Sequence, residues 1–292
     1  MITVFGSINL DLIFPLASIP VSGETLLTAA ALLMPGGKGA NQAVAAARDG
    51  GLVAMAGAVG RDALAEPALA LMREAGVDLS RVRQTEVATG VAAILVDRGG
   101  DNAIAVGSGA NLLARGVDVE DARLGPGHTL VVQMEVDAGE TAALIRRARR
   151  AGGRVILNLA PAGPIDVDVF GCLDWLVVNE AEAFYLASRH GTGADAGSLR
   201  LCLGVNVIRT RGGNGVEVAT EMETIRLAAH PVTVVDTTGA GDGFVGVLAA
   251  GLDRGAVFQD AVRRACVAAA ICCTRGGSQV SLPWAAETNH SL

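Results

Sequence analysis

An aspartate set in a glycine turn is the first place where this sequence could do chemistry. Residues 234–243 read VVDTTGAGDG, and the apolar run FVGVLAAGL follows. The backbone N–H groups of Gly239, Ala240 and Gly241 carry no side chain large enough to shield them. They stand at an expected helix N-terminus, where the macrodipole favours negative charge. Such a turn can cradle the charge that develops on a phosphoryl group. Asp242, on the same turn, can take the proton of a hydroxyl beside it. An anion cradle and a base on one turn suit phosphoryl transfer, which depends on positioning and charge stabilisation. Two other readings compete. Gly241, Gly243 and Gly246 match G-x-G-x-x-G literally, but a dinucleotide site needs an acid closing a second strand about 20 residues on. That distance falls near Asp260, inside another helical pattern. The glycines could also make a plain strand-to-helix turn in which Asp242 only complements the dipole.

A second glycine turn, PGGKGAN, carries Lys38. It is not a Walker A loop, because Gly39 follows the lysine where Ser or Thr should hold magnesium. Composition narrows the partners. The 292-residue chain has a net charge of −7 and 3% aromatic residues, so neither a phosphate-binding basic surface nor a base-stacking platform is expected. Nucleic acid is therefore not an expected partner. Its hydrophobic fraction is 51%, yet no run approaches the roughly 20 apolar residues that span a bilayer. No membrane partner is expected either. The start, MITVFGSINLDL, lacks the basic and small-residue features of a secretory signal, and the five cysteines include no C-x-x-C pair. A cytoplasmic protein with reduced thiols is the expectation.

The elements that must position these turns alternate. Strands are expected over 2–8, 52–60, 128–134, 154–161, 173–180, 205–212 and 230–236, with an antiparallel extension over 215–229. Helices are expected over 38–51, 62–76 despite Pro67, 137–153, 181–191, 239–255 and 258–277. Strands alternating with helices of this length imply α/β architecture: a mostly parallel sheet covered on both faces. Residues 10–35 and 88–106 break the rhythm. The second contains a hairpin turned by Gly99 and Gly100, and the two regions could pair as a small separate sheet.

Three separated motifs coincide: GSINLD with PGGKGANQAVAAA, then VVNEAEAF, then VVDTTGAGDGF. In that order they resemble the ribokinase branch of the PfkB carbohydrate kinase family. The resemblance runs from the first strand to CCTRGGSQVSLPW, so it covers nearly the whole chain. It implies a single ribokinase-like domain over 1–292, a three-layer α/β/α fold, and a small β-sheet lid built from about 10–35 and 88–106. It also implies a homodimer through that lid.

Residue by residue, the resemblance assigns sugar contacts to Asn9, Asp11, Gly37, Lys38, Asn41 and Glu135. Asn and Asp side chains bind hydroxyls directionally, and Asn41 lies one helical turn after Lys38. On the ATP side it assigns Asn179, Thr210, Gly212 and Cys266. Glu182, three residues after Asn179, would organise Mg2+ through water. Taken singly, Asn179 and Glu182 also fit a helix-capping pair. A monovalent cation, K+, is assigned to the Asp236 carboxylate, backbone carbonyls near Thr238, Cys273 and Gly277, and the Ser278 side chain. Asp242 matches the catalytic base, with Gly239, Ala240 and Gly241 as the anion cradle. The sequence departs from the pattern at Gly243, where Thr, Ser or Ala is usual. It departs again at Cys266, where His or Asn often lies, and at Val136–Asp137, where a proline is usual nearby.

The activity implied is ATP-dependent phosphorylation of a primary hydroxyl on a free sugar, with D-ribose giving D-ribose 5-phosphate as the first candidate. A nucleoside, fructose or deoxy-sugar kinase and a non-catalytic binding member are the alternatives.

Overall fold

Short runs of Val, Ile, Leu and Ala form strands with no exposed face, as a parallel sheet between two helical layers requires. All four residues of ITVF and all eight of VAMAGAVG are buried. The computed structural model describes residues 1–99 and 101–291. The chain begins with β1 (Ile2–Phe5), β2 (Asn9–Pro15), β3 (Leu32–Gly36), α1 (Lys38–Arg48), β4 (Val53–Gly60), α2 (Ala65–Glu74), β5 (Asp78–Thr85), β6 (Gly90–Val96) and β7 (Asn102–Gly107). It continues through β8 (Thr129–Val132), α3 (Ala138–Ala151), β9 (Arg154–Asn158), β10 (Trp175–Val178), α4 (Glu180–His190) and α5 (Ala196–Leu203). Then come β11 (Asn206–Thr210), β12 (Val216–Ala219), β13 (Thr224–Leu227), α6 (Ala240–Asp253), α7 (Phe258–Cys273) and α8 (Ala285–Ser291).

Nine strands make the large sheet, in the order β13-β12-β11-β10-β9-β8-β1-β4-β5. β12 and β13 pair antiparallel and the others parallel. Alternate residues feed two cores. Val4, Val131 and Ile156 meet α1, α6 and α7 on one face, while Phe5, Val132 and Leu157 meet α3, α4 and α5 on the other. This is the expected three-layer α/β/α arrangement. A separate four-stranded sheet, β3-β2-β6-β7, forms from strands that lie in or next to the two irregular regions. Gly99 stands in the β6–β7 turn, and Gly100 lies outside the described residues.

Helix boundaries follow local chemistry. Asp137 caps α3 by accepting from Glu140 N, and Gly152 ends it in the left-handed region at φ 85°. Pro67 is tolerated because it sits in the first turn of α2, where N–H groups have no intrahelical acceptor.

One expected strand is absent. Residues 230–236 form no ladder. Pro231 offers no N–H. The segment instead crosses to α7, where Val235 N and Asp236 N donate to Cys273 O at 2.7 and 3.3 Å. Val234 and Val235 are left exposed. Three elements were not foreseen: the charged edge strand β5 and the short helices α5 and α8.

Candidate active site

The parallel strands end on one side of the sheet, where α/β proteins carry their sites. Chain just past β1, β8, β9, β10 and β11 delivers or borders Asn9, Glu135, Asn158, Asn179 and Thr210. The start of α6 brings Asp242 to the same place. Two adjoining cavities of about 220 Å³ each share Thr210, Thr237 and Gly241. The polar one is lined by Lys38, Asn158, Asn179, Glu182, Gly239 and Asp242. The other is apolar, walled by Val232, Val234, Phe244, Cys266, Ala269 and Ala270.

Asp242 is buried, and both carboxylate oxygens are engaged. Oδ2 accepts from Asn41 Nδ2 at 2.8 Å and Oδ1 from Gln42 Nε2 at 3.0 Å. Gly239 precedes α6 at φ 77°, and a β-carbon there would stand 3.0 Å from Ser278 Cα. Of the three proposed cradle amides, that of Ala240 donates to Thr237 O at 3.3 Å. Gly241 meets nothing within 4 Å on its β-carbon side and opens onto both cavities. Gly243 has a neighbour-based reason for being small. A β-carbon there would lie 2.9 Å from Cys272 Sγ and 3.1 Å from Leu282 Cδ2.

The residues expected at the sugar gather around Lys38. Ser7 Oγ and Lys38 N donate to Glu135 Oε2 at 2.5 and 3.1 Å. Asn111 Nδ2 donates to Asn9 Oδ1 at 2.7 Å, which fixes the orientation of that amide. Asp11 packs on Gly36, where any β-carbon would fall 2.1 Å from Oδ2. Gly37, at φ 88°, turns the chain into α1. Asn41 Oδ1 is buried and has no hydrogen-bond partner among the described residues. Burial, with Glu135 and Asp242 nearby, pushes the Asp11 carboxyl up to about 7. Lys38 is held more firmly charged than usual, first by Asp242 and then by Glu135, Glu182 and Asp11, against the opposing effect of burial.

Asn179 and Glu182 form a complete capping box on α4. Glu182 N donates to Asn179 Oδ1 at 2.9 Å, while Asn179 N and Nδ2 donate to Glu182 at 2.7 and 3.0 Å. The same pair also lines the polar cavity, so the capping and site readings are compatible. Burial raises the Glu182 carboxyl despite the Asn179 N–H and Lys38. Thr210 and Gly212 line the apolar cavity with Cys266, whose thiol burial pushes up to about 11.

At the expected cation site, Asp236 accepts from Thr238 N, Thr238 Oγ1 and Gly277 N at 2.9, 2.7 and 2.8 Å. Burial alone would raise its carboxyl, but these bonds outweigh burial and hold it low. Cys273 contributes a carbonyl that already accepts two N–H groups, and Ser278 Oγ donates to Pro35 O at 3.3 Å. The available donors are all oxygen, which suits an alkali cation. No group of three or more His, Cys, Asp or Glu among the described residues could hold a metal by itself.

Sequence reasoning missed Ser7, Gln42, Asn111, Gln133 and Asn158. Gln42 stands inside the quoted PGGKGANQAVAAA motif, but only a contact could reveal its role. At the departure after Glu135, Val136 is buried and Asp137 caps α3.

Residues 1–285 match the pfkB family carbohydrate kinases. The chain belongs to that family. Among curated relatives, the ribokinase of Haemophilus influenzae is 32% identical over 98% of this chain and 96% of its own. Among solved structures, ribokinase from Thermotoga maritima superposes with a TM-score of 0.92 at 32% identity, covering 99% of this chain and 98% of that one. Arabidopsis thaliana ribokinase complexed with ribose and ATP gives 0.89 at 28% identity, covering 99% and 97%. The membership extends over the large sheet, the small sheet and both cavities of this PfkB chain.

Proposed function

We propose that the protein is an ATP-dependent sugar kinase that converts D-ribose to D-ribose 5-phosphate. One observation carries the reading: the buried Asp242 carboxylate, held by two amides, sits where a polar cavity adjoins an apolar one. A sugar fits beside the polar cavity, at its Lys38 and Asp242 end. Lys38 lines the cavity. Asn9, Asp11, Asn41 and Glu135 stand next to it outside the lining and would offer fixed donors and acceptors, with the orphaned Asn41 Oδ1 open to a hydroxyl hydrogen. Glycines at 36 and 37 let the chain approach closely. The apolar side fits a nucleotide base against Cys266, with Thr210 and Gly212 at its edge and Asn179 toward the phosphates.

In the reaction, Asp242 takes the proton of the sugar's primary hydroxyl. The oxygen bonds to the γ-phosphorus as the bond to the ADP oxygen breaks. The amides of Gly239 and Gly241 would receive the transferring group, and that of Ala240 would join them by leaving Thr237 O. A positioned carboxylate base contributes about 10²–10⁴-fold.

Four carboxylates, Asp11, Glu135, Glu182 and Asp242, face a single lysine. Such a centre accepts a polyphosphate only with cations. Glu182 would hold Mg2+ through water, since its oxygens are already committed to Asn179. Asp236, with the carbonyls near Thr238, Cys273 and Gly277 and the Ser278 hydroxyl, would hold K+. Bound there, the two cations would supply positive charge to the phosphates.

The small sheet carries Asn9, Asp11 and Gly36 on β2 and β3, which supports its role as a lid. Its exposed Leu32, Leu33, Ile104 and Val106 favour pairing of two lids in a homodimer. No helix among the described residues is long and apolar enough to cross a membrane. We take the cytoplasm, where ATP is supplied, as its compartment.

Coupled ADP detection on a panel of ribose, deoxyribose, fructose and nucleosides, with and without K+, tests the assignment. Ribose is expected to give the highest kcat/KM. Turnover of a nucleoside but not of ribose would overturn it, and binding without turnover would indicate a non-catalytic member.

A further inference from the structure

Resting on Asp242 as the base, we infer that Gln42 is a positioning residue: anchored by Asn158, it fixes the orientation of the Asp242 carboxylate. Gln42 lies on α1, has no exposed surface and touches neither cavity. Its Nε2 donates to Asp242 Oδ1 at 3.0 Å and to Asn158 Oδ1 at 3.1 Å. Its Oε1 accepts from Gln133 Nε2 at 2.6 Å.

An amide can be turned over, and a reversed Gln42 would aim its oxygen at the carboxylate. The polarity is set from a point that cannot reverse. Asn158 Nδ2 donates to the Val177 main-chain carbonyl on β10 at 3.3 Å. A carbonyl only accepts, so Asn158 must offer it the NH2 end and turn Oδ1 toward Gln42. Gln42 must then answer with N–H, and its second hydrogen reaches Asp242. Gln133, just past β8, closes the other end by donating to Oε1. The fixed acceptor in the sheet's main chain therefore sets the polarity at Gln42, which donates both to Asn158 and to the base.

The consequence is geometric. With Gln42 on Oδ1 and Asn41 on Oδ2, turning the carboxylate about its Cβ–Cγ bond would break two hydrogen bonds. Each oxygen keeps lone-pair capacity for the incoming proton. A carboxylate freed to rotate would spend less time within the roughly 2.6–3.2 Å reach that proton transfer needs. The network is buried throughout, so water cannot replace a missing member cheaply.

The test is a double-mutant cycle on the intact chain: Gln42→Met, Asp242→Asn and both, with kcat and both KM values for ribose and ATP. Gln42→Met is expected to lower kcat about 10- to 100-fold, the scale of a misplaced catalytic group. Both KM values should stay within about twofold, because ground-state binding is untouched. In the Asp242→Asn background the same change should cost nothing further in single-turnover phosphoryl transfer. Equal losses in both backgrounds, or a loss expressed in KM alone, would overturn the inference. Full activity in Asp242→Asn would instead remove the base reading on which it rests. Should Gln42→Met not fold, Asn158→Leu frees Gln42 to reverse. Because Asn158 also lines the polar cavity, the readout there is kcat, expected to fall over the same range and to show no further loss in the Asp242→Asn background. An unchanged kcat in that variant would equally sink the proposal.

Discussion

Asp11 should cost the protein stability at neutral pH in return for sugar binding, and Asp11→Asn exposes that cost. The side chain is 8% exposed. Burial and the facing Glu135 and Asp242 push its carboxyl up from 3.8 to about 7. In the unfolded chain the group titrates near its ordinary value. Between about 4 and 7 the folded chain therefore binds more protons than the unfolded one, and stability falls as pH rises through that window. A shift of about three units, at about 1.36 kcal/mol each, amounts to at most about 4 kcal/mol above pH 7. Below about pH 4 both states are protonated and the effect vanishes. Asn keeps the shape and cannot ionise. Urea denaturation across pH 4–8 should show Asp11→Asn gaining stability progressively as pH rises, with little gain at pH 4. Ribose binding should move the other way. Losing a charge-assisted hydrogen bond of about 1.5–3 kcal/mol raises the ribose KM roughly 10- to 100-fold. In the unaltered enzyme kcat/KM for ribose should climb with pH until about 7, the value to which the Asp11 carboxyl is pushed, and then level. A stability gain independent of pH, or none at pH 8, would refute the reasoning.

Gly243→Ala should gain up to about 1 kcal/mol of helix propensity but lose roughly 1–3 kcal/mol to overlap with Cys272 Sγ. In a Cys272→Ala background most of that loss should disappear, leaving only the lighter contact with Leu282 Cδ2, so a denaturation cycle showing no coupling would remove the Cys272 packing explanation for this glycine. Cys266→Phe should fill the apolar cavity, raising the ATP KM while leaving the ribose KM unchanged, and steady-state kinetics with each substrate varied would show the split. A rise in the ribose KM alone would assign that cavity to the sugar.

The layer architecture was legible because burial on both faces forces continuous apolar strands, and capping residues such as Asp137 and Asn179 mark helix starts. Residues 230–236 misled for a physical reason. Their valines read as a strand, but the segment walls a cavity and bonds to the Cys273 carbonyl instead of to a neighbour in the sheet. Local preference fails where function overrides it. β5 was hidden by its charges, since Arg81 and Arg83 on this edge strand pair with Glu120 and Asp118. At the site, the chemistry proposed for Asp242 starts from a glycine turn visible in the sequence. Its support could not, because Gln42 and Asn158 are 116 residues apart and meet only in the folded chain.

The most direct measurement is ADP formation from ATP with ribose by the Asp242→Asn enzyme, beside its ATP affinity. Loss of a general base should lower kcat by about 10²–10⁴-fold. ATP should bind as tightly as before, since Asp242 lines the polar cavity and not the apolar one proposed for the base. Turnover close to that of the unaltered enzyme would contradict Asp242 as the group that takes the proton.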